Sequence, residues 1–252
     1  MELGLRGRRV VIGGATRGIG YAMASAFLAE GAQVVIIGRD ASRLDAAASS
    51  LGAGVSTVQG DLAVEADALA AIEASSARLG GIDVLVNNVG GSLGTGAFGD
   101  VPLEDFRRVV DANLWSAIFS SHAALPRLRE QGGVILHVSS ISAREYCSSA
   151  PYAAAKAALT GLTKEMAVDL AKARVRVNAI APGSILFQGG SWDLRSKSNP
   201  ERIEKMKREE LPWGRFGTPE EVAAVAVFLC SDRASWVTGT TVVVDGAQGR
   251  AL

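Results

Sequence analysis

The stretch RRVVIGGATRGIGYAMASAFLAEG, residues 8–31, decides the fold. Val10, Val11 and Ile12 form a short β-branched run that ends on glycines, which reads as a strand over 8–14. From Gly18, small and apolar residues continue without a breaker to Gly31, which predicts a helix over 18–31. Between strand and helix lies the glycine-rich turn GGATRGIG, 13–20. Such a turn aims backbone N–H groups and the positive end of the helix dipole at one point, the arrangement that holds a phosphate. Gly14, Gly18 and Gly20 permit positive φ and close backbone approach. The spacing Gly14-x3-Gly18-x-Gly20 is not the standard GxGxxG fingerprint, and an ordinary turn is the alternative.

Outward from this unit the pattern repeats. Strand-like runs occur at 32–38, 55–61, 82–88, 134–140, 176–182 and 240–246. Helical stretches separate them, at 65–79, 102–128, 151–173 and 219–231 among others. Strands that are nearly continuous in Val, Ile and Leu argue for a parallel sheet covered on both faces. Right-handed crossovers then make it doubly wound, an α/β fold in one domain over 1–252. Residues 184–217 break the rhythm and read as an insertion hinged by Gly189, Gly190 and Pro212, a lid over a substrate.

Composition removes several functions. Twenty-six basic residues balance twenty-six acidic ones, so no basic footprint for nucleic acid exists. No apolar run reaches the ~18 residues of a membrane helix, and the first residues lack a secretory signal pattern. Two cysteines and two histidines are too few for a disulfide scaffold, and no metal site is expected. A cytoplasmic setting is the expectation.

Two further clusters point to chemistry. The second strand ends in Gly38-Arg39-Asp40, and Arg17 sits within the glycine turn. Arginine there accommodates a 2′-phosphate, whereas an acidic residue holds a ribose 2′-OH, so the pair favours NADP over NAD despite Asp40. Tyr152 and Lys156 stand four apart on a helix and share a face. At ~5 Å and an effective dielectric of ~20 the ammonium would stabilise a phenolate by about 3 kcal/mol, drawing the tyrosine from ~10 towards ~8. That range suits an acid/base.

These motifs, taken in order, resemble the short-chain dehydrogenases/reductases over residues 8–246. The set comprises GGATRGIG, Asp61-Leu62, NNVG (87–90), Asn113 in DANL, SSIS (139–142), YAAAK (152–156), APG (181–183), GRFGTPEEVA (214–223) and VTGTTVVVDGA (237–247). Within the family the chain is similar to the 3-oxoacyl carrier-protein reductases. The resemblance implies a Rossmann-type sheet, a homotetramer and an oxidoreductase interconverting a ketone or 3-oxoacyl thioester with its secondary alcohol. Tyr152 would be the proton donor, Lys156 would lower its pKa and bind the nicotinamide ribose, and Asn113 would support a water relay. The substrate oxygen would be held by Ser140; counting back thirteen residues from Tyr152 gives Ser139 instead. Gly14, Thr16, Arg17, Gly18, Ile19, Gly20, Arg39, Asp61, Leu62, Asn88, Gly90 and Ile185 would line the cofactor. Phe187 stands where the family often has a threonine for the carboxamide.

Plainer roles compete. His137 reads as a buried strand residue, Cys147 as packing, and Trp192 and Trp213 as packing for the lid. Arg195, Lys197, Arg202, Lys205, Lys207 and Arg208 alternate with Asp193 and four glutamates as one solvated lid helix, or else face an anionic substrate or acidic carrier. Two rival functions remain: an NADP-binding regulator without turnover, and a serine hydrolase built on the GxSxG-like Gly90-Gly91-Ser92-Leu93-Gly94.

Overall fold

The computed structural model describes residues 2–251. Seven strands, β1 (Arg9–Gly13), β2 (Gln33–Gly38), β3 (Val55–Gln59), β4 (Val84–Asn87), β5 (Gly133–Val138), β6 (Val175–Pro182) and β7 (Thr241–Val244), form one sheet. Its order is β3-β2-β1-β4-β5-β6-β7, and every pair is parallel. The order reverses between β1 and β4, so the crevice beyond their carboxyl ends is the topological switch point where such sheets bind ligands.

Alternate strand residues enter opposite cores, as the period of two requires. Val10, Ile12, Val34, Ile36, Val86 and Leu136 pack under α1 (Gly18–Ala29), α2 (Ala41–Leu51) and α9 (Pro219–Cys230). Val11, Val35, Ile37, Leu85, Ile135 and Val177 pack under α3 (Glu65–Leu79), α5 (Ser116–Gln131) and α6 (Ala150–Asp169). α1 is buried on several sides through Ala22, Met23, Ala24 and Phe27. Thr218 starts α9 with a capping box, its hydroxyl on the Glu221 N–H and the Glu221 carboxylate on the Thr218 N–H.

Three expectations are corrected. The helix expected at 102–128 is α4 (Leu103–Val110), a π turn over Asp111–Trp115, and α5. The strand expected to reach residue 140 stops at Val138. The single lid helix is two, α7 (Ser191–Ser198) and α8 (Pro200–Glu210). Proline disfavours helical backbone at the residue before it, and Asn199 instead caps α8 by accepting the Arg202 N–H at 3.1 Å. The 184–217 segment is closed at its base by a bridge between Ile185 and Gly217.

Candidate active site

The glycine turn leaves β1 with Gly14 at φ +69° and Gly18 at +59°, a region where a side chain is strained. Gly20 is required for a different reason: a Cβ there would meet the Asn88 amide and the Gly14 carbonyl at 2.5 Å. The Asn88 Nδ2 donates to the Gly13 and Gly14 carbonyls at 3.1 and 2.9 Å, so Asn88 braces the turn from the end of β4. No side chain caps the N-terminus of α1. Positive-φ glycines, a close-packed helix start and uncapped first-turn donors fit a pyrophosphate.

Arg17 was expected to help clamp a phosphate, but its Nη1 donates to the Gly189 carbonyl at 2.8 Å and ties the turn to the 184–217 segment. A carbonyl from the segment offers that guanidinium a fixed acceptor, so the tie leaves only its other N–H groups to an anion. Phe187 adds to the same junction, its ring lying where a Gly18 Cβ would be. Arg39 is largely exposed, with Asp61 at 3.5 Å. Asp40 is the N-cap of α2, accepting from Ser42 Oγ at 2.7 Å and Arg43 N at 3.1 Å. These bonds hold its carboxyl below the usual range. Arg43, which sequence reasoning passed over, stands 3.5 Å from Asp40 at the same edge. The Asp61 carboxylate accepts the Ala63 N–H, and Leu62 is buried against Gly13. Thr16 lies beside Gly38, Ile19 is half-buried, and Ile185 is buried at the base of the inserted segment.

Beyond β5 the two serines separate. Ser139 Oγ donates to the Lys156 carbonyl at 3.2 Å and meets Thr160 at 3.0 Å, facing into α6. Ser140 turns the other way, hydrogen-bonds Tyr152 and accepts the Ser142 N–H at 3.1 Å. Both Ser140 and Tyr152 line a cavity of about 1160 Å³ whose walls come from the 91–95, 140–149 and 184–210 segments.

Lys156 is buried beneath, its Nζ 5.6 Å from the Tyr152 ring centroid and donating to the Val138 carbonyl at 2.7 Å. The expected lowering of the tyrosine is overturned. Burial raises the phenol above its ordinary value, with Ser140 only partly opposing it, and burial lowers Lys156 to about 7. Desolvation disfavours the charged form of each group and is the largest cause of both shifts.

Asn113 lies in the π turn. Its Nδ2 donates to the carbonyls of Gly91 and Val109 at 2.9 and 2.8 Å, and its Oδ1 accepts the Gly91 N–H at 2.9 Å. Both amide hydrogens are therefore spent on backbone. A Gly90 Cβ would strike the Asn113 Oδ1, with Lys156 Nζ next at 3.1 Å.

His137 is fully buried on β5, as expected, with neither ring nitrogen partnered by protein. Trp192 packs on Phe216 in a tilted pair with ring centroids 5.3 Å apart, whereas Trp213 is mostly exposed, contrary to a packing role. Ser92 is followed by a turn rather than a helix, and among the described residues neither histidine hydrogen-bonds it.

Comparison with known proteins agrees with this geometry. The family model described as Enoyl-(Acyl carrier protein) reductase matches residues 14–247. The 2-(S)-hydroxypropyl-CoM dehydrogenase 3 of Xanthobacter autotrophicus is 36% identical over 250 residues, 97% of each chain. L-sorbose reductase from Gluconobacter frateurii, solved with NADPH and L-sorbose, superposes with TM-score 0.92 at 32% identity over 100% of both chains. A 7α-hydroxysteroid dehydrogenase, solved with NADH and 7-oxo glycochenodeoxycholic acid, gives 0.89 at 35% over 98% of this chain and 96% of its own. With ordered motifs, sheet and relatives in accord, this chain belongs to the short-chain dehydrogenase/reductase family, whose two solved members named here hold NADPH and NADH.

Proposed function

We propose that the protein is an NADP(H)-dependent oxidoreductase that interconverts a ketone, or a 3-oxoacyl thioester, with its secondary alcohol. The observation that carries this reading is the meeting of Ser140 and Tyr152 on the cavity wall, with buried Lys156 beside the Tyr152 ring. A nicotinamide bound along the glycine turn supplies or accepts the hydride.

Tyr152 is the acid in the reducing direction. Its raised pKa keeps the phenol protonated at neutral pH, ready to donate to the carbonyl oxygen. Ser140 offers that same oxygen a second hydrogen bond. Proton donation leaves a phenolate, and Lys156, poised near 7, then gains by holding its charge beside it. The ammonium thus acts on the charged tyrosine more than on the resting one. Asn113 is a positioning residue that anchors Gly91, next to the Gly90 that lies against Lys156.

NADP is favoured because Asp40 is consumed as a helix cap while Arg39 and Arg43 stand exposed at the end of β2. The segment over 184–217 serves as the lid, tied down by Arg17 and Phe187. Homotetramer assembly is supported by exposed Leu103, Trp115, Val168 and Trp236 on or beside α4, α5, α6 and β7. Unbridged Cys147 and Cys230 accord with a cytoplasmic setting.

Tyr152→Phe is expected to cut kcat about 10²–10⁴-fold with NADPH affinity retained. Turnover near wild type in single-turnover assays would refute the role. Fluorescence titration is expected to show NADPH binding at least ~10-fold tighter than NADH, about 1.4 kcal/mol. Arg39→Asp should erase that margin, and an unchanged ratio would sink the assignment of Arg39. Saturable NADPH binding without turnover of any carbonyl would favour the regulator reading.

A further inference from the structure

We infer that the substrate carries an oxyanion remote from its carbonyl, and that Arg195 and Arg202 on the 184–217 segment hold it. The inference rests on the reductase reading of this cavity and adds the substrate class. Both arginines line the same cavity as Ser140 and Tyr152. At about 1160 Å³ it exceeds the ~300–1,000 Å³ common for sites of drug-sized ligands, so a small ketone would leave most of it unfilled.

The charged side chains of the cavity wall differ in how they are partnered. Lys205 has Glu209 at 4.0 Å, and Glu145 accepts the Arg250 and Ala251 N–H groups. Asp193, beside Arg195 in sequence, is taken by Lys197 and by the Gly189 N–H, each at 2.8 Å. Among the described residues, neither Arg195 nor Arg202 has a carboxylate partner. The remaining wall carboxylate, Glu210, lies eight residues past Arg202, about 12 Å along α8 at the helical rise. The wall's three cations, Arg195, Arg202 and Lys205, equal its carboxylates in number, and what sets Arg195 and Arg202 apart is that both are left without an ion pair among the described residues.

Arg195 is also preorganised. Its guanidinium lies 4.9 Å from the Trp192 ring centroid, and Trp192 in turn rests on buried Phe216. That cation–π contact holds the guanidinium in place, and its N–H groups are of the kind that bind an oxyanion in paired hydrogen bonds. Asn199 fixes the first turn of α8, from which Arg202 projects. Ile203 and Met206 supply apolar wall on the same helix. The complementary molecule has a carbonyl at one end, an apolar spacer and an oxyanion at the other.

The test compares methyl-ketone acids of increasing length, 4-oxopentanoate, 6-oxoheptanoate and 8-oxononanoate, each beside its methyl ester, with butane-2,3-dione as a neutral reference. Wild type is expected to prefer acid over ester at least tenfold in kcat/KM at one or more lengths, mainly through KM and less so in added salt. Arg195→Gln and Arg202→Gln should each shrink that ratio, the double variant should bring it to about one, and Arg202→Lys should keep part of it. NADPH titration reports whether each variant is folded; if the double variant fails it, the single variants decide. Equal rates for acid and ester at every length, or a preference that survives in folded variants, would overturn the inference. Turnover of the dione with no acid preference removes only the oxyanion site, whereas no turnover of any carbonyl removes the reductase reading on which it stands.

Discussion

Lys156 and His137 show how burial governs single residues in this chain. Each is enclosed, and for each burial is the largest cause of a lowered pKa, to about 7 for the lysine and about 3 for the histidine, which also feels Lys156. The lysine has the Val138 carbonyl and the Tyr152 ring beside its charge, which suits the role proposed for it. The histidine has no such partner and stays neutral. It consequently lowers stability in acid. Unfolding lets His137 take up a proton once pH drops below ~6.5, so the stability it contributes is full above that value and is lost as pH falls towards 3. His137→Leu should flatten the acid limb of the denaturation profile by up to about 1.4 kcal/mol per pH unit between pH 6 and 4. Superimposable wild-type and variant profiles from urea melts would contradict this.

At the scale of elements, the glycine turn depends on partners far away in sequence. Asn88 braces it from β4, while Phe187 and the Gly189 carbonyl fasten it to the inserted segment. Helix α1 can approach only because residue 20 has no side chain. Gly20→Ala places a methyl against the Asn88 amide and the Gly14 carbonyl, both held in place by backbone. The turn should open, and NADPH affinity is expected to fall at least tenfold with the fold retained by circular dichroism. Unaltered affinity would mean that the turn is not the pyrophosphate cradle. Sequence periodicity placed α3 at its observed bounds but read α7 and α8 as one, because charge alternation continues through the break while Pro200 alone marks it.

The whole molecule puts its chemistry on one edge. Gly13, Asn87, Val138 and Pro182 end their strands side by side in the sheet order, so the glycine turn, Tyr152 and the inserted segment share the carboxyl edge. Other surfaces expose large apolar side chains, with Trp236 97% and Leu103 77% exposed. Exposed side chains of this size are candidates for burial on association. Sedimentation equilibrium is expected to give four times the chain mass, and Trp236→Glu to lower it. A monomer at micromolar concentration would refute the tetramer.

The sequence by itself determined what is local or periodic. Continuous apolar runs marked strands covered on both faces, glycines at 14, 18 and 20 marked the tight turn, and the four-residue spacing put Tyr152 and Lys156 on one face. Only the tertiary structure decided which serine faces Tyr152, that Arg17 turns to Gly189, that Asp40 caps α2, and that Arg195 and Arg202 line the cavity. It also reversed the expected sign for the tyrosine. Each of these depends on which groups from distant segments meet and how much water they lose on meeting, and desolvation is a property of the packed molecule that spacing along a chain does not encode.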